Sequence, residues 1–334
     1  MLIHTKTRKI ARAIFCFLLM LVILSCTSVP KTEKPLWADS FSVNQVFPSS
    51  EYITALGYAK KKEMAASVAD GNLASYFSKE VSAVTRAGQR LSNTEEAREN
   101  ISREIIIKSQ IELFGIKHTE YYFDSQSKNY IVCAYISREE AWAVLEPKLN
   151  IHYSSLSKNI SQVKNQKGLK TVIKANKILS NTSDFEDLYY TALFIFPNRC
   201  EKYSGLMEDI MNLKQRLPSL TREVKIKINT KGDGDGRIYS KISSLVTDAG
   251  FTICKSGENH IMNVDVDITE QITGKVHAVY PQISVVVSDG KETVSSFSKS
   301  LEKVAAFNST TVQKMALSRI EELLEQEFVE ACLR

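Results

Sequence analysis

The stretch Gly232-Asp233-Gly234-Asp235-Gly236 places two carboxylates two residues apart in a glycine-rich loop. Oxygens so arranged can serve a hard cation such as calcium. A dedicated calcium loop of about twelve residues closes on a further acidic ligand, and Arg237, Ile238, Tyr239 and Ser240 supply none. The preferred reading is a tight strand-to-helix turn. It leaves Asp235 near a helix N-terminus, where negative charge is favoured. The backbone amides of the same loop offer a weak anion site as a third reading. Asp233 and Asp235 are therefore the metal candidates, held below the turn.

Other residues with chemical potential are scattered. His118, His152, His260 and His277 stand alone, with no pair at the i, i+4 spacing of a helical zinc site. They read as surface or strand-end histidines. The chain has no G-x-S-x-G elbow, no phosphate loop and no cysteine pair at zinc spacing. No cofactor and no enzymatic activity are expected. The doublets Glu95-Glu96, Glu139-Glu140 and Glu321-Glu322 fall in helical stretches beside bases, as on solvated helix faces. Lys158, Lys164, Lys167, Lys170, Lys174 and Lys177 form a basic series. They are read as a solvated helical face, with anionic lipid headgroups or an acidic partner as the alternative.

Cys26 carries the sharpest chemistry. Lys6, Arg8, Lys9 and Arg12 form a basic segment without an acidic residue, followed by an apolar run from Ala13 to Leu24. That run suits the core of an export signal, whereas a membrane-spanning helix needs roughly 20 residues. It closes on Ile23-Leu24-Ser25-Cys26, which resembles the lipobox of bacterial lipoproteins, with Ile23 and Leu24 departing from the commonest residues there. The expectation is a signal peptide over 1–25 and lipidation at Cys26. Each buried methylene of such a lipid contributes about 0.8 kcal/mol, so several chains anchor stably. Thr27 is not the aspartate that retains some lipoproteins in the inner membrane, which favours the outer membrane, facing the periplasm. The formal net charge of +5 falls to about +1 once the four signal cations are removed. That is too little for a nucleic-acid binder. Cys133, Cys200, Cys254 and Cys332 would then remain. Export permits disulfides among them, and free, buried thiols are preferred for Cys133 and Cys254, which lie in apolar runs.

The elements form an α+β chain: two small α/β sandwich domains joined by a helical segment. Residues 26–45, with Pro30 and Pro35, read as a lipidated, flexible tether. Over 46–148, Tyr52 to Gly57 is a strand candidate. Ala65, Val68, Ala69, Leu73, Tyr76 and Phe77 recur at helical spacing, and Val81 and Val84 extend that helix or begin a strand. Ser92-Asn93-Thr94-Glu95 fits a capping box before a helix through Ile101, Ile105 and Ile106. The runs His118 to Phe123 and Tyr130 to Ile136 make a hairpin, and a closing helix stops near Pro147. Over 149–220 the pattern is helical, with a second capping box at Ser183 and Glu186 and a last helix ending before Pro218. Over 221–334, Val224, Ile226 and Ile228 alternate with polar residues. So do Met262, Val264, Val266 and Ile268, and again Ile283, Val285 and Val287. Ile238 to Ala249 and Val312 to Ala331 are helices, giving β–α–β–β–β–β–α.

Trp37, Phe47-Pro48, Tyr52-Ile53, Gly57 and the helix carrying Leu73-Ala74-Ser75-Tyr76-Phe77 together resemble the LPP-twenty lipoprotein family. Its small domain is akin to the N-terminal part of flagellar assembly protein T. The likeness covers residues 36–146. The last domain resembles, in element order alone, TolB N-terminal and curli-secretion lipoprotein domains. These resemblances imply envelope components that bind other proteins and offer no catalytic residues. The function expected is a non-catalytic, membrane-anchored interaction or scaffold protein. The alternatives are a peptidoglycan- or lipid-binding, even enzymatic, lipoprotein and a structural part of a flagellar or secretion assembly. Expected partners are the membrane, through the lipid, and envelope proteins.

Overall fold

The computed structural model describes residues 33–92 and 114–334. Cys26 and the export segment lie outside the described residues, as do Glu95-Glu96 and the helix expected through Ile101, Ile105 and Ile106. The described chain is α+β and falls into two compact units.

The first unit comprises the chain up to Leu73 together with Lys117–Tyr135. Its sheet runs β1 (Tyr52–Ala59), β4 (Asn129–Ser137), β2 (Lys117–His118), with β3 (Tyr122–Asp124) also on β4. The expected hairpin is therefore split. His118, in β2, pairs with Ala134, and Tyr122 to Asp124, in β3, pair with Ile131 to Asn129, all antiparallel on β4. The start of α1 (Lys62–Ser92) covers β1. At Gly57 an added Cβ would meet the Ala65 carbonyl oxygen at 2.1 Å and the Ala69 nitrogen at 2.4 Å. Only glycine lets helix and strand approach so closely. Phe47 packs edge-to-face on Tyr52 and tilted against Tyr135, with ring centroids 5.3 and 4.6 Å away, and His118 Nε2 meets Asp70 Oδ1 at 2.7 Å.

The second unit holds the remaining described residues, from Ala74 in α1 and from Ile136 onward. Val81, open to either helix or strand, is a buried residue of α1, which runs on to Ser92. Four helices follow: α2 (Arg138–Val163), α3 (Leu169–Leu179), α4 (Ser183–Ile195) and α5 (Glu201–Glu223). Ser137 caps α2 by accepting from the Glu140 N–H at 3.4 Å. Two expected stops do not occur: α2 passes Pro147 and α5 passes Pro218. A helix-interior proline costs about 3 kcal/mol. Burial of Leu145, Leu149, Leu156 and Ile160 on α2 offsets this, each side chain contributing about 1.5–3 kcal/mol.

A mixed five-stranded sheet follows, in the order β11 (Thr293–Ser300), β10 (Gln282–Ser288), β7 (His260–Asp267), β5 (Lys225–Lys231), β6 (Thr252–Ile253). β5 runs parallel to β6 and β7, which requires a crossover, supplied by α6 (Arg237–Asp248). Met262, Val264 and Val266 are buried while Asn263, Asp265 and Asp267 are exposed. In register, Val264 lies opposite Val285, and Val285 opposite Phe297. Leu169 and Val172 of α3 and Leu220 of α5 share one core with these strands, so the helices and the sheet are parts of one unit.

Three short strands escape the sequence pattern. β8 (Glu270–Thr273), β9 (Val276–Val279) and β12 (Val304–Ala306) form a separate sheet against α7 (Ser309–Leu323), around Val279, Val304, Val312 and Ala316. The C-terminal helix expected to Ala331 passes through a π-helical turn at Leu324–Phe328 before a last α-helical turn, Val329–Cys332.

Candidate functional site

A cleft of about 580 Å³ opens between α2, α3 and the start of α4. The residues that α2 presents to it are His152, Ser155, Leu156, Asn159, Gln162 and Val163, which recur at three- and four-residue intervals along one face. The helix α3 is amphipathic. Leu169, Val172, Ala175 and Ile178 are buried, which turns Lys174 and Lys177 outward to the cleft mouth. The floor is apolar, with Leu156, Val163 and Ile178 only 4, 1 and 9% exposed. The walls are hydroxyls and amides: Ser155, Asn159, Gln162, Ser180, Asn181 and Ser183. Asp184 is the single carboxylate in the lining.

The start of α4 differs from the expected capping box. Ser183 is the first residue of the helix, and Thr182 occupies the cap position without accepting from a helix N–H. The Thr182 hydroxyl lies 2.9 Å from the Leu179 carbonyl oxygen and 2.7 Å from Glu186 Oε1. Glu186 is buried, and Lys214 meets its Oε1 at 2.8 Å and its Oε2 at 3.0 Å. Glu186 thus turns inward to hold α5 rather than back to the helix start. The first-turn N–H groups of α4, which lack helical partners, receive no side-chain cap from Thr182.

The lysine series divides. Lys164 pairs with Asp209 at 2.7 Å, Lys167 with Glu223 at 2.9 Å and Lys170 with Glu292 at 2.7 Å. The Glu292 partner raises the Lys170 ammonium above its ordinary value. Lys158, Lys174 and Lys177 have no carboxylate within 4.0 Å among the described residues.

The aspartates of the glycine-rich loop face the helix that follows. Asp233 Oδ2 accepts from the Tyr239 N–H at 2.8 Å and Oδ1 from the Ile238 N–H at 3.2 Å. Asp235 accepts from the Arg237 N–H at 3.3 Å. The turn is shaped by Gly232 at φ +79°, where a Cβ would collide with the Val266 carbonyl oxygen at 1.9 Å. Among the described residues, no group of three or more His, Cys, Asp or Glu is placed to hold a metal ion.

The histidines are not all superficial. His260 is 4% exposed, and His277 pairs with Glu270, which also accepts from the Ser309 hydroxyl at 2.6 Å. The Ser309 bond, with that histidine, lowers the Glu270 carboxyl. Two of the carboxylate doublets are each engaged by an arginine through one member. Arg199 holds Glu139 at 2.9 and 2.5 Å, and Arg237 holds Glu321 at 3.2 and 2.5 Å.

Cys133, Cys200, Cys254 and Cys332 are all free. Cys254 is half-buried rather than buried, because β6 is a two-residue edge strand that ends just before it. Burial pushes the thiols of Cys133, Cys200 and Cys332 up to about 11, 12 and 11 respectively. They stay protonated near neutrality, poor conditions for nucleophilic chemistry.

No family model matches the chain, so the LPP-twenty resemblance rests on the residues quoted for it. No curated protein matches it either. Among solved structures it is similar to a secreted protein from the human pathogen Helicobacter pylori. That match has 15% identity and a TM-score of 0.37, covering 83% of this chain and 98% of the other. A minor lipoprotein from Acinetobacter baumannii matches at 14% identity and TM-score 0.25, over 32% of this chain and 90% of its own. A lipoprotein from Neisseria meningitidis matches at 8% and 0.21, over 31% and 99%. At these identities and TM-scores no residue or role is carried across.

Proposed function

We propose that the chain is a non-catalytic lipoprotein of the LPP-twenty type, tethered to the outer membrane through a lipid on Cys26 and binding other envelope proteins in the periplasm. The observation that carries this reading is the basic segment, the apolar run Ala13 to Leu24 and the Ser25-Cys26 junction. Among the described residues, which begin at 33, no helix is long and apolar enough to cross a membrane. The cleft beside α3 offers a partner charged and hydrogen-bonding groups over an apolar floor, the composition of a binding site.

The test is in-cell crosslinking and affinity recovery of the full-length chain beside a Cys26→Ala form, with metabolic labelling by palmitate. Label and a reproducible partner, both dependent on Cys26, are expected. An unlabelled wild-type chain, or turnover of a cell-wall substrate by the purified protein, would sink the proposal.

A further inference from the structure

On and just before α3, the protein treats its lysines in two ways. Lys164, Lys167 and Lys170 each meet a carboxylate of the same unit. Lys174 and Lys177 meet none among the described residues and stand at the mouth of the cleft. Three residues apart, they share one helix face. An anionic group at the cleft mouth would face both ammonium groups, which no carboxylate of the described residues already holds.

We infer that the cleft holds an extended acidic segment of a partner protein, whose carboxylates pair with Lys174 and Lys177. This names the chemistry of the partner proposed above and rests on that reading. Asn159 and Gln162 line the wall, and each amide side chain both donates and accepts. A peptide backbone needs both, whereas a phosphate mainly accepts. Asp184, the single carboxylate in the lining, can accept a peptide N–H. The floor of Leu156, Val163 and Ile178 offers contact to an apolar side chain of the segment. Because both lysines are exposed, their ion pairs are individually weak and screened by salt.

Fluorescence anisotropy on the full-length chain in detergent tests this. The probes are capped hexapeptides that carry no, one or two glutamates in an otherwise identical Gly-Ser-Leu background. The two-glutamate peptide should bind saturably and about tenfold tighter than the uncharged one, and the difference should shrink as salt rises. It should vanish in a Lys174→Glu, Lys177→Glu double variant and persist in the matching arginine variant. An unchanged unfolding midpoint shows that the charge reversal leaves the fold intact. Equal binding by all three peptides, saturable binding by none, or undiminished binding to the reversed variant overturns the inference. Binding of phosphatidylglycerol vesicles by the Cys26→Ala chain without detergent, lost in the reversed variant and accompanied by binding of no peptide, overturns it in favour of a lipid surface. Crosslinking separates the two proposals. A partner recovered equally by the reversed variant removes the cleft assignment and leaves the adaptor reading standing. A wild-type chain that recovers no partner removes the adaptor reading whatever the peptides do.

Discussion

His260 Nε2 accepts a hydrogen bond from the Leu169 backbone N–H at 3.2 Å, while its Nδ1 faces Asn259 Oδ1 at 2.8 Å. An imidazole that accepts at Nε2 must be neutral, with its proton on Nδ1. The first N–H of α3, which has no helical partner, is thereby satisfied by the first residue of β7. Asn259 extends the link, accepting from the Lys225 N–H at 2.7 Å and donating to the Glu223 carbonyl at 3.0 Å.

Burial holds the His260 imidazole below its ordinary value of 6.5, partly countered by the Asp289 carboxylate. A histidine harder to protonate when folded takes up its proton on unfolding. Its contribution is complete above 6.5 and is lost as pH falls through the lower folded value. Urea unfolding of the wild type minus that of His260→Phe should show this loss below about pH 6.5. At about pH 7.5 the variant should be less stable by about 1–3 kcal/mol, because the Leu169 N–H is left buried and unpaired. A pH-independent difference would exclude the neutral-acceptor role.

Asp233→Ala should cost about 1 kcal/mol, the usual worth of a helix-start acceptor. Asp235→Ala should cost less, since it gives up a single longer bond. Calcium at about millimolar concentration should leave the thermal midpoint unchanged, because both carboxylates already serve backbone N–H groups. A calcium-dependent rise in midpoint that disappears in Asp233→Ala would restore the metal reading.

Gly57→Ala should destabilise the first unit by at least about 1–3 kcal/mol, the range for overpacking. The added methyl has to displace backbone atoms of α1 rather than a flexible side-chain end. Denaturant unfolding with a wild-type slope and a lowered midpoint is the expected result. An unchanged midpoint would mean that the helix can back away from β1 at no cost.

Thiol labelling at about pH 8 should find Cys254 first. Cys133, Cys200 and Cys332, buried and pushed up to about 11, 12 and 11, should react only on unfolding. Native-state modification of Cys200 ahead of Cys254 would contradict the packing around α5.

Where one face of a strand is buried and the other wet, composition alone places it, because alternation has one cause. Met262, Val264 and Val266 in β7, and Ile283, Val285 and Val287 in β10, were legible for that reason. The short strands β8, β9 and β12 carry three or four residues each, too few for a period to register. Pro147 and Pro218 read locally as helix stops, yet the helices run through them because distant residues reward continuation with burial. His260 opens β7, where a strand-end histidine reads as exposed, and it is covered only because α3 begins against it.

The lysine series shows the same division at the candidate site. Spacing alone determined that Lys170, Lys174 and Lys177 stand on the polar side of an amphipathic helix, as it determined the alternating strands. Only the tertiary structure decided that Lys170 meets Glu292, 122 residues away, while Lys174 and Lys177 meet a cleft. Periodicity is a property of one element against its surroundings, whereas a charge's partner depends on which elements pack together.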